Sequence, residues 1–404
     1  TITITWTTAG AQTVSVNYDN AFGCTAPTTT VQNITVNPLP APTLGGNAAV
    51  CEGVTGEVYT TEPGQSNYVW TVSAGGTITA GGTPTDNTIT ITWTTAGAQT
   101  VSVNYDNAFG CAAASATVQN VTVNPITVPT LSGSASVCEG AIGEVYTTEP
   151  GQSNYVWTVS AGGTITAGGT ATDNTVTVTW TTAGAQTVTV NYDNAFGCSA
   201  PIATTQNVTV NPLPAPTLGG NAAVCEGVTG EVYTTEAGQN NYVWLVSAGG
   251  TITAGGTGTD NTITITWTTA GPQTVSVNYE NAAGCTALVP TVQNITVNPS
   301  PAPTLAGSAV VCEGATGEVY TTEAGQTNYV WIVSAGGTIT AGGTATDNTV
   351  TVTWNTSGAQ TVSVNYENGS GCTAATPAIQ NVNVSPLPAP TISGNSTVCE
   401  GIPG

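Results

Sequence analysis

Ten cysteines fall into two series, Cys24, Cys111, Cys198, Cys285 and Cys372, and Cys51, Cys138, Cys225, Cys312 and Cys399, and within each series every step is 87 residues. The letters between them keep the same period: TITITWTTAGAQTVSVNYDNAFGC at 1–24 recurs unchanged at 88–111. A fixed period marks a tandem array in which each repeat is one folding unit. Division by the period gives four whole repeats, 39–125, 126–212, 213–299 and 300–386. They are flanked by a partial repeat at 1–38, with C-terminal strands, and another at 387–404, with an N-terminal strand. Residue 1 falls inside a repeat, so the chain reads as a window on a longer periodic object.

Within 39–125, TITITW (88–93) alternates strictly, with Ile89, Ile91 and Trp93 on one face and threonine hydroxyls on the other, as in a half-buried strand. YVWTVS (68–73) and TVSVNY (100–105) place Tyr68, Trp70 and Val72, and Val101, Val103 and Tyr105, on inward faces. GEVYTTE (56–62), TIT (77–79) and TVQNVTV (117–123) complete a set of about seven short strands separated by turns rich in Gly, Asn and Asp. No segment holds a 3.6-residue apolar period, so essentially no α-helix is expected. The fold class is all-β: one antiparallel β-sandwich per repeat, strung as an elongated rod. Trp70 and Trp93 anchor the first whole core; Trp157, Trp180, Trp244, Trp267, Trp331 and Trp354 anchor the next three. Between repeats run NPLPAPT, NPITVPT, NPSPAPT and SPLPAPT, whose spaced prolines favour short, stiff, extended joints.

Composition removes most chemistry. The 404 residues include no Lys, Arg or His against 22 Asp plus Glu, a formal charge of −22. Such a chain cannot neutralise phosphates, which excludes nucleic acid, and anionic membrane surfaces repel it. No stretch is long and apolar enough for membrane insertion as a helix. Imidazole bases, Schiff-base amines and guanidinium clamps are all missing. Only a carboxylate pair of the glycosidase kind would remain, and carboxylates copied into every repeat read as surface. The chain is therefore expected to be no enzyme and to carry no cofactor.

The succession VCEG, GEVY, YVWTV, TITITW, GAQTVSVNY, GC and TVQNITV runs with small changes through all four whole repeats and both partial ends. It resembles the PKD-like, immunoglobulin-like repeats of very large surface proteins of Bacteroidota. That resemblance implies relatives such as gliding adhesins exported by type IX secretion, and the long extracellular filaments or grappling structures of predatory members of the phylum. It implies an extracellular, cell-surface location. The C-terminal sorting module of such proteins is not among these residues.

None of the cysteines stands in a Cys-x-x-Cys pair, so they read as disulfides in an oxidising setting rather than zinc ligands. Cys51 precedes the strand from 56 and sits at its starting pole, whereas Cys111 follows the last hairpin at the opposite pole. Strands of this length separate the poles by about 20 Å, and a disulfide needs Cα atoms within about 7 Å. In a head-to-tail array the pole carrying Cys51 faces the pole of the next repeat carrying Cys198. Staples between neighbours are therefore expected: Cys51 with Cys198, Cys138 with Cys285, and Cys225 with Cys372. Cys24, Cys111, Cys312 and Cys399 would pair beyond these residues or within a repeat, as in the alternative pairing of Cys51 with Cys111.

Each whole repeat has five carboxylates, in the first Glu52, Glu57, Glu62, Asp86 and Asp106. With no basic residue to pair with, they are expected to form a solvated face balanced by water and dissolved cations. Glu52, Asp86 and Asp106 are the candidate calcium ligands, Glu52 meeting the Asp106 counterpart of the next repeat at a joint. Threonine at every second residue of TITIT offers a regular face to ice or sugar, although any half-buried strand looks the same. The sequons at Asn33, Asn120 and Asn207 fall inside a strand and read as coincidence. Phe22, Phe109 and Phe196 occupy a hairpin tip where later repeats have Ala283 and Ser370, so that side chain is not needed by the core.

The functional expectation is the shaft of a secreted surface adhesin or filament that extends a binding tip and bears mechanical load. Side-by-side self-association into a multi-chain fibre is its expected partnership, with glycans or another cell's surface met by regions outside these residues. The competing reading makes each repeat a glycan- or cell-surface-binding module.

Overall fold

The computed structural model describes residues 1–394, 396–397 and 400–401. Cys399 lies outside the described residues. The chain divides into two units, the first Thr1–Asn211 and the second from Pro212 onward, and each is described by itself.

In the first unit, Gly10–Val16 (β1) and Thr30–Val36 (β2) form an antiparallel hairpin. The repeat that follows has seven strands: Ala49–Cys51 (β3), Glu57–Thr60 (β4), Ser66–Val72 (β5), Gly76–Gly81 (β6), Thr88–Trp93 (β7), Gly97–Asp106 (β8) and Thr117–Asn124 (β9). They form a four-stranded sheet, β3-β9-β8-β5, and a three-stranded sheet, β4-β7-β6. The same order recurs in the second repeat of this unit, from Ser136–Cys138 to Thr204–Asn211. In the second unit it recurs twice, from Ala223–Cys225 to Thr291–Asn298 and from Val310–Cys312 to Ala378–Ser385. The described residues contain no helix, hence none long and apolar enough to cross a membrane.

One ladder departs from the antiparallel sandwich. β3 runs parallel to β9, with Ala49 opposite Thr122, Val50 opposite Val123 and Cys51 opposite Asn124, and the other three whole repeats do likewise. Ala-Val-Cys is too short to show an alternation, and its single inward side chain, Val50, fits the core whichever way the strand runs. Its direction is set by the chain that must leave Cys51 for the opposite sheet.

The core sits between the two sheets. Ile89, Ile91 and Trp93 of β7 are each no more than 1% exposed, and they pack with Val101 of β8 and Val121 and Val123 of β9, while Val103 packs with Tyr68 and Tyr105. Trp93 Nε1 donates to Tyr59 Oη at 3.2 Å, and the two rings meet edge to face at 6.3 Å between centroids. Tyr59 Oη in turn donates to Asn47 O at 3.0 Å. Trp70 is half-buried and donates its Nε1 to Asp86 O at 2.9 Å. Each indole thus keeps its polar atom satisfied while its ring leaves water, which contributes roughly 2 to 3 kcal/mol per ring. Trp157 and Trp180, Trp244 and Trp267, and Trp331 and Trp354 take the same places in their own repeats. Gly46 lies flat on the Tyr59 ring, where an added Cβ would stand 2.3 Å from Cδ1.

β5 carries a bulge between Ser66 and Val69. Asn67 takes the left-handed backbone there, with φ 53°, and its Nδ2 donates to Asp106 Oδ2 at 2.8 Å. Asparagine tolerates that conformation better than most side chains, which is why the bulge falls on it.

Trp180→Ala should cost its repeat about 3 to 5 kcal/mol. Hydrogen exchange on the full chain should then accelerate across Thr175–Trp180 and Gly184–Asp193. Phe196→Ala, at a side chain that is 61% exposed, should change the same exchange by less than about 0.5 kcal/mol.

Candidate functional site

The joint between repeats gathers residue types that all four whole repeats share. In the first unit it begins with the tip that follows Gly184–Asp193. Gly197 N donates to Asn194 O at 2.8 Å and Asn194 N to Cys198 O at 3.0 Å. Asn194 Oδ1 accepts from Phe196 N at 3.0 Å and from Cys198 N at 3.1 Å. An asparagine side chain that captures two backbone N–H groups ahead of it fixes a tight turn and aims the residue that closes it. The remaining amide group of Asn194 reaches the incoming linker, donating to Pro125 O at 2.9 Å and to Thr127 Oγ1 at 3.3 Å.

From the preceding repeat, β3 delivers Cys51 level with Asn124, where β9 ends and the chain leaves. Cys51 and Cys198 are bonded, with Cα atoms 5.6 Å apart. In the second unit Cys225 and Cys372 are bonded at the same Cα spacing of 5.6 Å, and Asn368 Nδ2 donates to Pro299 O at 3.0 Å. Cys138 and Cys285 are also disulfide-bonded cysteines. Cys24, Cys111 and Cys312 are free thiols. The alternative bridge from Cys51 to Cys111 does not form. Cys111 lies near the start of β9 and Cys51 beside its end, and a strand of that length holds them about 25 Å apart.

The linker is fastened along its length to the repeat it enters. Pro129 O accepts from Thr204 Oγ1 at 2.5 Å, and Thr130 O accepts from Thr148 Oγ1 at 2.7 Å. Thr130 N donates to Glu149 Oε1 at 3.0 Å, Thr130 Oγ1 donates to the same oxygen, and Tyr192 Oη donates to Glu149 Oε2 at 3.1 Å. Burial of Glu149 opposes its ionisation, but the hydrogen bonds from Thr130 and Thr148 outweigh that and hold its carboxyl at about 2. Burial and the neighbouring carboxylate push the Tyr192 hydroxyl up to about 12. Glu62, Glu236 and Glu323 occupy equivalent networks and are likewise held at about 2. For these four glutamates the expected balance by water and dissolved cations is corrected. A carboxylate needs donors rather than positive charge, and threonine, tyrosine and backbone N–H groups supply them.

The calcium candidates are engaged separately. Asp86 Oδ2 closes its own turn by accepting from Thr83 N at 2.9 Å. Asp106 is taken up by Asn67, and its counterpart Asp193 by Asn154 and Ser199. Glu52 lines a shallow groove beside the staple with Ile126, Ser199 and Pro201. The three are not brought together, and among the described residues no group of three or more His, Cys, Asp and Glu could hold a metal ion.

Asn194 and Glu149 are the joint residues that sequence reasoning passed over. The first had a signal, an asparagine three residues before Gly-Cys in a tight tip. The second had none, because its partner Thr130 lies 19 residues back, across the linker boundary.

Cleavage at glutamate leaves Cys198 and Cys225 on one peptide, 150–226, so peptide mapping without reductant should recover that peptide linked both to 1–52 through Cys51 and to 368–400 through Cys372, the three separating on reduction. Glu149→Gln should destabilise its repeat by about 1.5 to 3 kcal/mol at neutral pH, read from hydrogen exchange around Thr130. The sign of the pH dependence follows from a carboxyl held below its ordinary 4.5: its contribution is complete above that value and is lost as pH falls through about 2. Thermal unfolding of the full chain should therefore weaken most between those pH values, and Glu149→Gln should lose less over that range.

No curated protein matches the chain. Among solved structures, the bacterial integrin-binding protein invasin aligns at 16% identity over 85% of this chain and 79% of its own, with a TM-score of 0.28. The ICAM-5 D1–D4 ectodomain fragment aligns at 12% identity over 85% and 99%, with a TM-score of 0.30. The human desmocollin-1 ectodomain aligns at 11% over 94% and 87%, with a TM-score of 0.23. Likenesses this weak carry no weight for the task of this chain. The PKD-like domain family, by contrast, matches residues 37–121, 124–208, 211–293 and 298–381, one match for each whole repeat, and the chain belongs to that family.

Proposed function

We propose that the chain is a stretch of shaft in a secreted, cell-surface adhesin or filament, holding a binding tip at a distance and carrying tension. The observation that supports this reading is the joint. Neighbouring repeats are tied by the peptide chain and by the Cys51–Cys198 bond, and the linker between them is held by Asn194 and Glu149. A linker free to swing suits independent binding modules, whereas one fastened at Pro125, Pro129 and Thr130 passes on orientation and force. On the chain-entropy account, closing ends 147 residues apart stabilises the folded pair by about 5 kcal/mol.

The disulfides favour an extracellular, oxidising location. The aromatic side chains favour a shaft over a set of binding modules. In the whole repeats the Trp and Tyr rings are buried or half-buried in cores, and the exposed rings are Phe109 and Phe196, whose counterparts are Ala283 and Ser370. A glycan-binding module would need an open aromatic platform kept in every repeat. Export of the type IX kind and side-by-side association into a multi-chain fibre belong to the same proposal. The second is favoured by a surface with few charged residues, 22 in 404, that presents the same side chains every 87 residues.

Electron microscopy of the full chain under oxidising conditions should show thin particles of uniform width, and a glycan array should retain none of it. Compact particles, or saturable binding of one glycan class by the repeats, would overturn the shaft reading.

A further inference from the structure

We propose that the staples divert tension away from the interiors of the repeats, so that the thiol–disulfide state of the chain sets how far it can be drawn out. The proposal takes its purpose from the shaft reading, but its mechanics follow from which residues are bonded. Cys51 and Cys198 close residues 52–197 into a ring, and Cys225 and Cys372 close residues 226–371 into another. A pull on the chain ends enters a ring at one cysteine and leaves at the other, and the two Cα atoms are already 5.6 Å apart. Everything from β4 to β9, and from Ser136–Cys138 to Gly184–Asp193 in the next repeat, hangs beside the line of force as a closed loop. Loss of structure inside the loop then adds no length to the chain.

Between the rings the pull runs through residues 199–224. Thr204–Asn211 is a strand and therefore already extended, paired over seven positions with Gly184–Val190 and over three with Ser136–Cys138. After it come Pro212, Pro214 and Pro216, whose rings fix φ near −65°. Extended backbone reaches at most about 3.3 to 3.6 Å per residue, so a strand followed by spaced prolines has little length left to give. The short segment that carries tension is the segment least able to stretch.

Reduction changes the path. A dithiol reductant delivers two electrons and two protons to each bridge, the S–S bond breaks to two thiols, and the reductant closes to its own cyclic disulfide. Force then follows the whole backbone, and each repeat becomes a reserve of length. One sulfur of the staple is shut in, Cys198 being 1% exposed. Cys51 is half-buried and lines the groove with Glu52, Gly53 and Val54, so reduction enters from its side.

Single-molecule stretching of the full chain, tethered at its two ends, tests this. The oxidised chain should extend without repeat-sized steps, and adding dithiothreitol should release roughly 1000 Å of further contour length. The double variant Cys51→Ser, Cys198→Ser should release roughly 400 to 500 Å without reductant. Circular dichroism would show whether that variant folds; if it does not, the wild-type chain before and after dithiothreitol carries the test alone. Steps of roughly 300 Å from the oxidised wild-type chain, or no added length on reduction, would overturn the proposal. A glycan-binding chain with the same bridges would stretch identically, so this result and the fate of the shaft reading are independent.

Discussion

The placement of three residues, Ala49–Cys51, against the last three positions of an eight-residue strand governs the whole joint. It puts Cys51 level with Asn124, at the point where the chain departs for the next repeat, and Glu52 N extends the contact by donating to Asn124 O at 2.8 Å. Had the same short strand paired with the opening residues of β9, the sulfur would stand about 20 Å from the exit and out of reach of any neighbour. The far half of the joint answers to Asn194 in the same way. One side chain closes the tip turn, presents Cys198 and holds the linker carbonyl, so turn, sulfur and linker share one reference point.

A chain without a single cation has to stabilise its anions by other means, and the structure does so by geometry. The carboxylate of Glu149 collects a backbone N–H and a hydroxyl from Thr130 of the linker and hydroxyls from the preceding Thr148 and from Tyr192. Because those donors come from different parts of the repeat, ionising the carboxylate fastens them to one another. The charge that would be a cost in an apolar setting becomes the node that ties the linker down. Asp86 and Asp106 serve the same end locally, one closing a turn and the other seating the bulge at Asn67. None of this depends on ion pairing, so added salt has no salt bridge here to weaken.

The two identical stretches at 1–24 and 88–111 show how far sequence alone can be read. GAQTVSV forms a strand in both, because its partner follows it closely in the chain. TITITW at 88–93 is the buried strand β7, and the strands that flank it, β4 and β6, come from residues that precede it. Alternation therefore tells which face is buried, not which strands bury it. The period, the strands and the inward residues were legible for the same reason: they are local. The parallel register of β3 and the Glu149 network were not, because each joins segments whose meeting depends on the completed sandwich.

Differences among the four repeats act as a mutation series already made. At the tip Phe109 and Phe196 give way to Ala283 and Ser370, yet the turn and its asparagine bonds persist. The bulge keeps its hydrogen bond when Asp106 and Asp193 become Glu280 and Glu367, with Asn241 and Asn328 still donating at 2.6 Å. Thr117, Thr204 and Thr291 each hold a proline carbonyl, and the fourth repeat has Ala378 in that place, with Ser300 Oγ donating instead to Thr373 O at 3.2 Å. The linker's fastening is thus redundant, and one hydroxyl can be given up while others hold. Asn194, Cys198 and Glu149 have no such substitute in any repeat. Each joins several partners at once, so replacing one would undo several of the joint's contacts together, whereas the outward-facing positions between joints can drift without consequence for the joint.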